Sequence, residues 1–279
     1  MAIGVYVTYR MLDYADLTVD GSIATGGAVC VMLILGGVNP WFALVAAFAA
    51  GAIAGLVTGL LHAVFGIPPI LSGILSQLAL YSVNMRILGK SNQAVSVDKY
   101  SLILSSRENM HAVLICAVAI AVLIGILYWF FGTEMGSAIR ATGSNPNMSR
   151  SQGINTNRMK ILGLSISNGL VGLSGGLLAQ YSGAADVKMG QGAIVIGLAA
   201  VIIGQVIFGK LFRNTAIKFL SVVFGAILYY IVISIVVRLG LSPTDLKMFS
   251  AILVALFLAL PSIKESIKSA KMMRQGKNA

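Results

Sequence analysis

Acidic residues are scarce in this chain, and charge of either sign is low. Aspartate and glutamate number 9 and lysine and arginine 20 among 279 residues, while 57% of the residues are hydrophobic. The mean hydropathy is +0.90, and the apolar residues form long runs, which is not typical of a soluble domain. The composition therefore predicts an integral membrane protein with little chain left for a soluble domain.

Cysteine and histidine are too few to build most chemical sites. Cys30 and Cys116 lie inside apolar runs, which argues against a disulfide framework or a zinc site and favours small buried side chains. His62 and His111 lie near the ends of such runs, where an interfacial role is the default and no Ser/His/Asp arrangement arises. We expect a protein that is not an enzyme, with no catalytic residue, no metal site and no cofactor of its own.

Energy sources within the chain are also lacking. No apolar run carries an embedded pair of acidic residues, so a proton relay is unsupported. The run from Gly204 to Lys210 has the glycine and lysine spacing of a phosphate loop. However, Leu211 replaces the required Ser or Thr, and the run ends an apolar helix instead of following a strand. Any energy for work is expected to come from another polypeptide.

Long apolar runs predict an all-α polytopic bundle of about eight or nine transmembrane helices. The runs cover residues 22–38, 41–65, 68–88, 111–131, 161–179, 190–208, 216–237 and 246–261. Residues 1–9 are apolar but about half the length needed to cross, and we expect them to end a span that begins upstream. The whole chain, 1–279, is expected to form one transmembrane domain.

Cations predict the orientation of the bundle. The tail at 262–279 carries several lysines and arginines against the single Glu265, which places the C-terminus in the cytoplasm. Counting spans backwards puts the loop at 132–160 on the cytoplasmic side and the loop at 89–110 outside. The net charge of +11 thus indicates membrane orientation and contact with lipid headgroups, not nucleic acid binding.

Small residues recur at helical spacing in two spans. Gly51, Gly55 and Gly59 recur at every fourth position, and Gly172 and Gly176 have the same spacing. Such ladders let another helix backbone approach closely. They predict close packing either within the subunit or across a dimer.

Polar side chains inside the spans suggest a second feature. Gln77, Asn84, Asn168 and Gln205 lie within apolar runs, and each costs free energy unless it faces protein or a wet cavity. A polar translocation pathway through the bundle would satisfy them. Single hydrogen bonds between helices would do so equally well for Asn168 and Gln205.

The insert at 136–160 is basic, with Arg140, Arg150, Arg158 and Lys160, and has no acidic residue. Residues 137–142 can form a short helix, Gly143 to Pro146 a turn, and residues 147–152 a second short helix. We expect a small apolar face made by Ile139, Met148 and Ile154, with the arginines pointing elsewhere. This pattern is typical of a docking element, although a solvated positively charged loop has the same charge.

The run from Gly136 to Ala179 resembles the cytoplasmic signature of bacterial ABC importer permeases of the branched-chain amino acid and ribose permease family. That signature has a short helix of the type G-x-A-(I/L)-R-A-x-G-x-N-P followed by (S/A)-x-x-x-G-I. The matching positions are Arg140, Ala141, Gly143, Asn145, Pro146, Ser149, Gly153 and Ile154, with Arg150 inside the second part. The resemblance implies a permease that couples to a separate ATPase through these residues.

The segment from Tyr9 to Ala28 resembles the first signature of the same family. Its characteristic residues are Asp16, Leu17, Thr18, Asp20 and Gly21, in the branch whose members pair with an amino-acid-type solute-binding lipoprotein. The implied partners are an ABC ATPase holding ATP and magnesium, an extracytoplasmic solute-binding protein and a second permease copy, with a homodimer as the first expectation. The implied location is the bacterial cytoplasmic membrane.

Asp13, Asp16 and Asp20 admit two roles. At spacings of three and four they would share one helix face. We favour capping and structural roles over substrate contact, with Asp20 capping the next span. The resemblance favours an amino acid as substrate, and sugars and nucleosides stay open. An ion-coupled secondary transporter or a channel-like protein is the alternative function, although inverted repeats and an ion-coupling site are not found in the sequence.

Overall fold

Helices make up almost all of the described chain. The computed structural model describes residues 1–96, 100, 102–106, 109–208, 214–238, 248–249, 251–252, 254–256 and 259. The predicted tail at 262–279 and much of the predicted span at 246–261 lie outside these ranges. The elements are α1 (Ala2–Tyr6), a π-helical segment (Val7–Met11), α2 (Thr18–Leu35), α3 (Pro40–Ala63), α4 (Pro69–Leu88), β1 (Asn92–Ala94), α5 (Asn109–Gly132), α6 (Glu134–Ser144), α7 (Pro146–Ser151), α8 (Thr156–Ser182), β2 (Ala184–Asp186), α9 (Ala193–Phe208) and α10 (Thr215–Arg238).

Among the described residues, five helices are long and apolar enough to cross a membrane: α2, α3, α5 from Met110, α8 and α10. α9 is apolar but shorter, at 16 residues. The predicted all-α membrane bundle is therefore confirmed. Two boundaries differ from the apolar runs, because α2 begins at Thr18 and α8 at Thr156. The short polar residues that open these helices carry no hydropathy signal but fit a capped helix start.

The chain forms two compact units, Met1–Ile194 and Val195–Ala279. In the second unit, α9 and α10 pack closely because Gly225 faces the carbonyl oxygen of Ala200 and Gly204 faces that of Ser221. Tyr229 is buried there against Ala199 and Ile203. The single domain over 1–279 stays a prediction.

α8 is the central helix of the first unit. Ser22 contacts Asn168 and Gly26 contacts Gly172, so α2 runs in the same direction as α8. α3 runs in the opposite direction, because Gly51 faces Asn168 whereas Gly59 lies against Ile161.

The two glycine ladders meet within this subunit. A Cβ atom added to Gly51, Gly55 or Gly172 would lie against the backbone of the facing helix, namely Asn168, Leu164 and Ala47. Gly176 faces side chains instead, with Ala47 Cβ and Leu44 Cδ2 both 3.1 Å from an added Cβ. Close backbone approach between α3 and α8 needs small residues at these positions.

α2 begins inside the bundle, halfway along α8. The non-helical segment Leu12–Leu17, which we call the connector, precedes it. Leu12 lies against Gly163 near the start of α8, whereas Asp16 is hydrogen-bonded to Asn168 near its midpoint. The connector therefore carries the chain from one end of α8 to its centre.

A short β-ribbon closes the opposite end of the first unit. β1 and β2 pair antiparallel, with Gln93 opposite Ala185. The buried Gln180 accepts a hydrogen bond from the backbone N–H of Ile103 at 3.1 Å and donates to Cys30 Sγ at 3.3 Å. The ribbon and Gln180 thus attach the predicted external loop to α2 and α8, and neither contact is visible in the hydropathy pattern.

Candidate functional site

The basic insert folds into two short helices, α6 and α7, separated by a sharp turn at Asn145. The Thr133 hydroxyl accepts a hydrogen bond from the Gly136 N–H at 3.4 Å at the start of α6. The Asn145 side chain accepts from the N–H groups of Asn147 and Met148 at 3.1 and 3.0 Å, and Pro146 occupies the first position of α7. An Asn N-cap followed by proline is a strong helix start. The predicted helix–turn–helix is therefore present, and α6 starts earlier than expected.

α6 is seated on the bundle by its small and apolar residues. A Cβ atom on Gly143 would overlap the carbonyl oxygen of Met11 and would lie 2.8 Å from the Leu12 Cα. Ile139 is fully buried, and Arg140 Nη2 donates to the Phe131 carbonyl oxygen at 2.8 Å. Arg140 and Gly143 thus face the bundle and hold α6 in place.

Other signature residues form the outer surface of this helix pair. Ala141, Asn145, Pro146 and Gly153 are exposed, and so is Met148, which is not part of the signature. Gly153 has a φ of +81° in the turn after α7, a conformation that favours glycine. These residues are free to meet another protein.

The second half of the signature fixes α7 to α8. Ser149 is buried and donates to the Asn145 carbonyl oxygen at 3.0 Å. Arg150 is exposed, but its Nε donates to the Thr156 hydroxyl at 2.9 Å. The expected apolar face is wrong, because Ile139 is buried, Ile154 is half-buried and Met148 is 61% exposed. The three side chains therefore differ in burial and do not form one exposed apolar face.

The connector and the start of α2 hold the residues of the first signature. Leu17 lies against Gly73, and Gly21 lies against Leu80 on α4. Asp16 is 2% exposed and accepts from the Thr18 N–H at 2.9 Å. The acidic residue that hydropathy placed outside the spans is thus buried beside the centre of α8.

Two expectations for the aspartates need correction. Asp13, Asp16 and Asp20 do not share a helix face, because the connector is not helical and Asp13 has a φ of +53°. Asp20 does not cap its own helix. Its carboxylate accepts from the N–H groups of Gly192 and Ile194, both at 2.9 Å, and so caps the start of α9. The partner lies 172 residues away, which sequence spacing does not reveal.

Further hydrogen bonds surround this region, and two of the residues in them, Thr58 and Ser76, were not singled out from the sequence. Thr18 Oγ1 lies 2.8 Å from Thr58 Oγ1, which lies 2.8 Å from Ser76 Oγ. His62 joins the loop after α3 to α8, since Nδ1 lies 2.8 Å from the Ile67 carbonyl oxygen and Nε2 lies 3.1 Å from Lys160 Nζ. Because lysine only donates, Nε2 is the acceptor and Nδ1 carries the hydrogen. In the sequence, the only hint for Thr58 is that it directly precedes Gly59, one of the ladder glycines.

The family model described as "Branched-chain amino acid transport system / permease component" matches residues 1–261. The chain belongs to this permease family. The permease is 41% identical over 270 residues to the tyrosine transport system permease protein of Clostridioides difficile, covering 96% of this chain and 89% of the relative. It is 26% identical to the fructose import permease protein FruF of Bifidobacterium longum, covering 93% and 73%. No solved structure matches. The resemblance to ABC importer permeases is therefore confirmed.

The predicted pathway residues of the permease occupy different environments. Asn168 is fully buried and bonded, Gln77 is half-buried with its Cα 3.4 Å from a Cβ added to Gly21, and Gln205 is half-buried in the second unit. Asn168 donates to Asp16 and accepts from Ser22 Oγ at 2.6 Å. A shared pathway through these residues stays a prediction.

Asn84 is the exception among them, because it is 1% exposed and neither polar atom of its side chain has a hydrogen-bond partner among the described residues. An unsatisfied buried amide costs about 1–3 kcal/mol. We expect Asn84→Leu, which keeps the branching at Cγ, to raise the unfolding midpoint in detergent by about 3–6 °C. The matched control Asn168→Leu removes bonded groups and should lower the midpoint. A lower midpoint for both variants would contradict the expectation for Asn84.

Proposed function

We propose that the permease is the membrane subunit of an ATP-driven importer that receives mechanical work from a separate ABC ATPase through α6 and α7. One observation supports this proposal above the others. The helix pair has a seated side, with Gly143 against the Met11 backbone, and an exposed side that includes Ala141, Pro146 and Met148. A short rigid helix that is fixed to the bundle transmits a displacement, whereas a flexible loop does not.

Charge suits the proposed contact. Arg150 and Arg158 are exposed beside α7 and at the start of α8, and an arginine can pair with carboxylates of a partner. Closure of two ATPase subunits on ATP and magnesium would move the helix pair. The bundle would then open its pathway alternately to the outside and the inside, with the C-terminus in the cytoplasm.

The proposed substrate is an amino acid or a related small solute. Support comes from the similarity to a permease named for tyrosine transport, over 96% of this chain. The similarity to a fructose permease favours a sugar as the second candidate. An extracytoplasmic solute-binding protein would deliver the solute and make most of the selection.

The proposed assembly is a homodimer of permeases in the bacterial cytoplasmic membrane. α5 presents a broad apolar surface. Only 6% of its most apolar 18-residue stretch is buried within the chain. Val113, Val118 and Val122 are among its exposed side chains. Lipid or the second permease copy would cover this surface.

Met148→Glu tests the proposed contact. Met148 is 61% exposed on α7, and a carboxylate there would face the carboxylates expected of the ATPase. We expect co-purification of the ATPase to be lost and ATP-dependent uptake into proteoliposomes to fall about tenfold. Met110→Glu is the matched control, because Met110 is 82% exposed at the far end of α5.

The uptake measurement also separates the substrate classes. Labelled tyrosine and labelled fructose are supplied in parallel, each with the solute-binding protein of the same transport system. Accumulation of tyrosine alone supports the amino acid proposal, and accumulation of fructose alone overturns it. Uptake at full rate without any ATPase would overturn the importer proposal itself and favour an ion-coupled or channel-like function.

A further inference from the structure

Asp16 places a carboxylate in the interior of the membrane bundle. It is 2% exposed, and its Oδ2 accepts a hydrogen bond from Asn168 Nδ2 at 2.6 Å. Its Oδ1 accepts from the backbone N–H of Thr18 at 2.9 Å. Both donors are neutral. A buried charge held by neutral donors is expensive in a membrane protein, and such residues commonly have a functional role.

The pair of Asp16 and Asn168 ties the end of the connector to three helices. Asn168 also donates to the Leu164 carbonyl oxygen at 3.1 Å and accepts from Ser22 Oγ, which fixes its orientation on α8. The neighbouring Thr18 hydroxyl reaches Thr58 on α3 at 2.8 Å. We call the end of the connector at Asp16 its upper end and the end at Leu12 its lower end. These hydrogen bonds hold the upper end in one defined position.

The lower end of the connector, at Leu12, contacts α6. Gly143 of α6 lies directly on the backbone of Met11 and Leu12, so no side chain separates these two segments of the chain. Leu12 and Ile139 of α6 both lie against Gly163 of α8, with Leu12 Cδ2 at 3.1 Å and Ile139 Cγ2 at 3.5 Å from a Cβ added to Gly163. A displacement of α6 must move these backbone atoms, because packed interiors yield little.

The middle of the connector is held by a contact between Tyr14 and α4. The Tyr14 hydroxyl lies 2.6 Å from Ser72 Oγ and 3.2 Å from the Pro69 carbonyl oxygen at the start of α4. Ala15, next to it, is exposed. The connector thus has a fixed pivot on α4 between its two ends, with one residue accessible to a chemical probe.

We propose that the connector transmits movement of α6 to the centre of the bundle, and that Asp16 and Asn168 are the positioning pair that holds its upper end. The inference rests on the proposed function, in which an ATPase moves α6. The carboxylate is needed because it accepts from two donors at once, whereas an amide at position 16 would set a donor against Asn168 Nδ2 or against the Thr18 N–H. Movement of α6 would then reach α2 and α8 together.

The test follows the reactivity of a cysteine at the exposed Ala15 position in the purified permease–ATPase complex. Ala15→Cys is made in a Cys116→Ala background, and Cys30 is fully buried and stays in place. The rate of reaction with a maleimide is compared with and without ATP and vanadate. We expect the two rates to differ about fivefold or more.

Three further variants test whether the pair of Asp16 and Asn168 is needed for this difference. In Asp16→Asn, the two rates should become equal while the ATPase still co-purifies. The exchanged pair, Asp16→Asn with Asn168→Asp, restores an amide facing a carboxylate but loses the bond from position 168 to the Leu164 carbonyl oxygen, and should recover part of the difference. Asp13→Asn is the matched control, since Asp13 is exposed on the same segment and asparagine tolerates its positive φ. It should leave the difference unchanged.

The outcomes separate the two proposals. If the unmodified permease does not bind the ATPase, the proposed function falls and the inference falls with it. If the ATPase binds but Ala15→Cys reacts at one rate in both states, the inference alone is overturned, and this needs no change at Asp16. A nucleotide-dependent difference that survives in Asp16→Asn would also overturn it and would make the pair a structural bond only.

Discussion

Gly26→Ala is expected to destabilise the permease strongly. A Cβ atom at position 26 would overlap the carbonyl oxygen of Gly172 and lie 2.6 Å from its Cα. Because both contacts are backbone atoms, no side chain can rotate away, and α2 must move off α8. We expect a loss of about 3 kcal/mol.

The same displacement would disturb the hydrogen bonds near this interface. Ser22 and Asp16 both bond to Asn168 with distances of 2.6 Å, and bonds of this length do not survive a shift of one ångström. We expect the unfolding midpoint in detergent to fall by roughly 6–12 °C. Gly125→Ala is the control, because none of the described atoms lies within 4 Å of a Cβ at that position of α5. It should be neutral or stabilising by up to about 1 kcal/mol. Equal midpoints for the two variants would contradict the packing argument.

Gly143→Ala is expected to uncouple transport and leave the protein in the membrane. The added methyl group would overlap the Met11 carbonyl oxygen, so α6 must tilt or lift from the connector. Ile139 stays buried and Arg140 keeps its bond to Phe131, so the helix itself should persist. We expect ATP-dependent uptake to fall about tenfold, and the combined replacement of Arg140 and Gly143 to abolish it.

Two measurements check this expectation. The amount of permease in the membrane fraction is compared with uptake by the same vesicles. Gly132→Ala is the control, since Gly132 lies just before α6 and no atom in the described part of the chain is within 4 Å of an added Cβ. Full uptake by Gly143→Ala would show that the contact between α6 and the connector carries no movement. Loss of the protein from the membrane would assign Gly143 to folding instead.

Hydropathy located most helices because a bilayer demands about 20 consecutive apolar residues, which is a local property of the chain. It did not locate the connector, because Asp16 and Asn168 are 152 residues apart and neither is unusual in its own neighbourhood. The β-ribbon was missed for a related reason. Its strands have three residues each, and they pair although about 90 residues of chain separate β1 after α4 from β2 after α8.

The signature residues also show the difference between what local sequence predicts and what long-range contacts decide. Their spacing predicted two short helices correctly, since Pro146 and Asn145 act on their own backbone. It did not separate the residues that seat α6, such as Gly143, from those that face outward, such as Ala141. That distinction depends on which side of α6 meets Met11 and Leu12.

The amino-acid sequence by itself determined the membrane class, the position of most helices and membership in the permease family, because these follow from composition and short-range motifs. The tertiary structure alone decided where α2 begins, which helix Asp20 caps and which face of α6 is exposed. These features arise from contacts between residues far apart in the chain. Such contacts form only when packing has brought the helices together, so no local pattern encodes them.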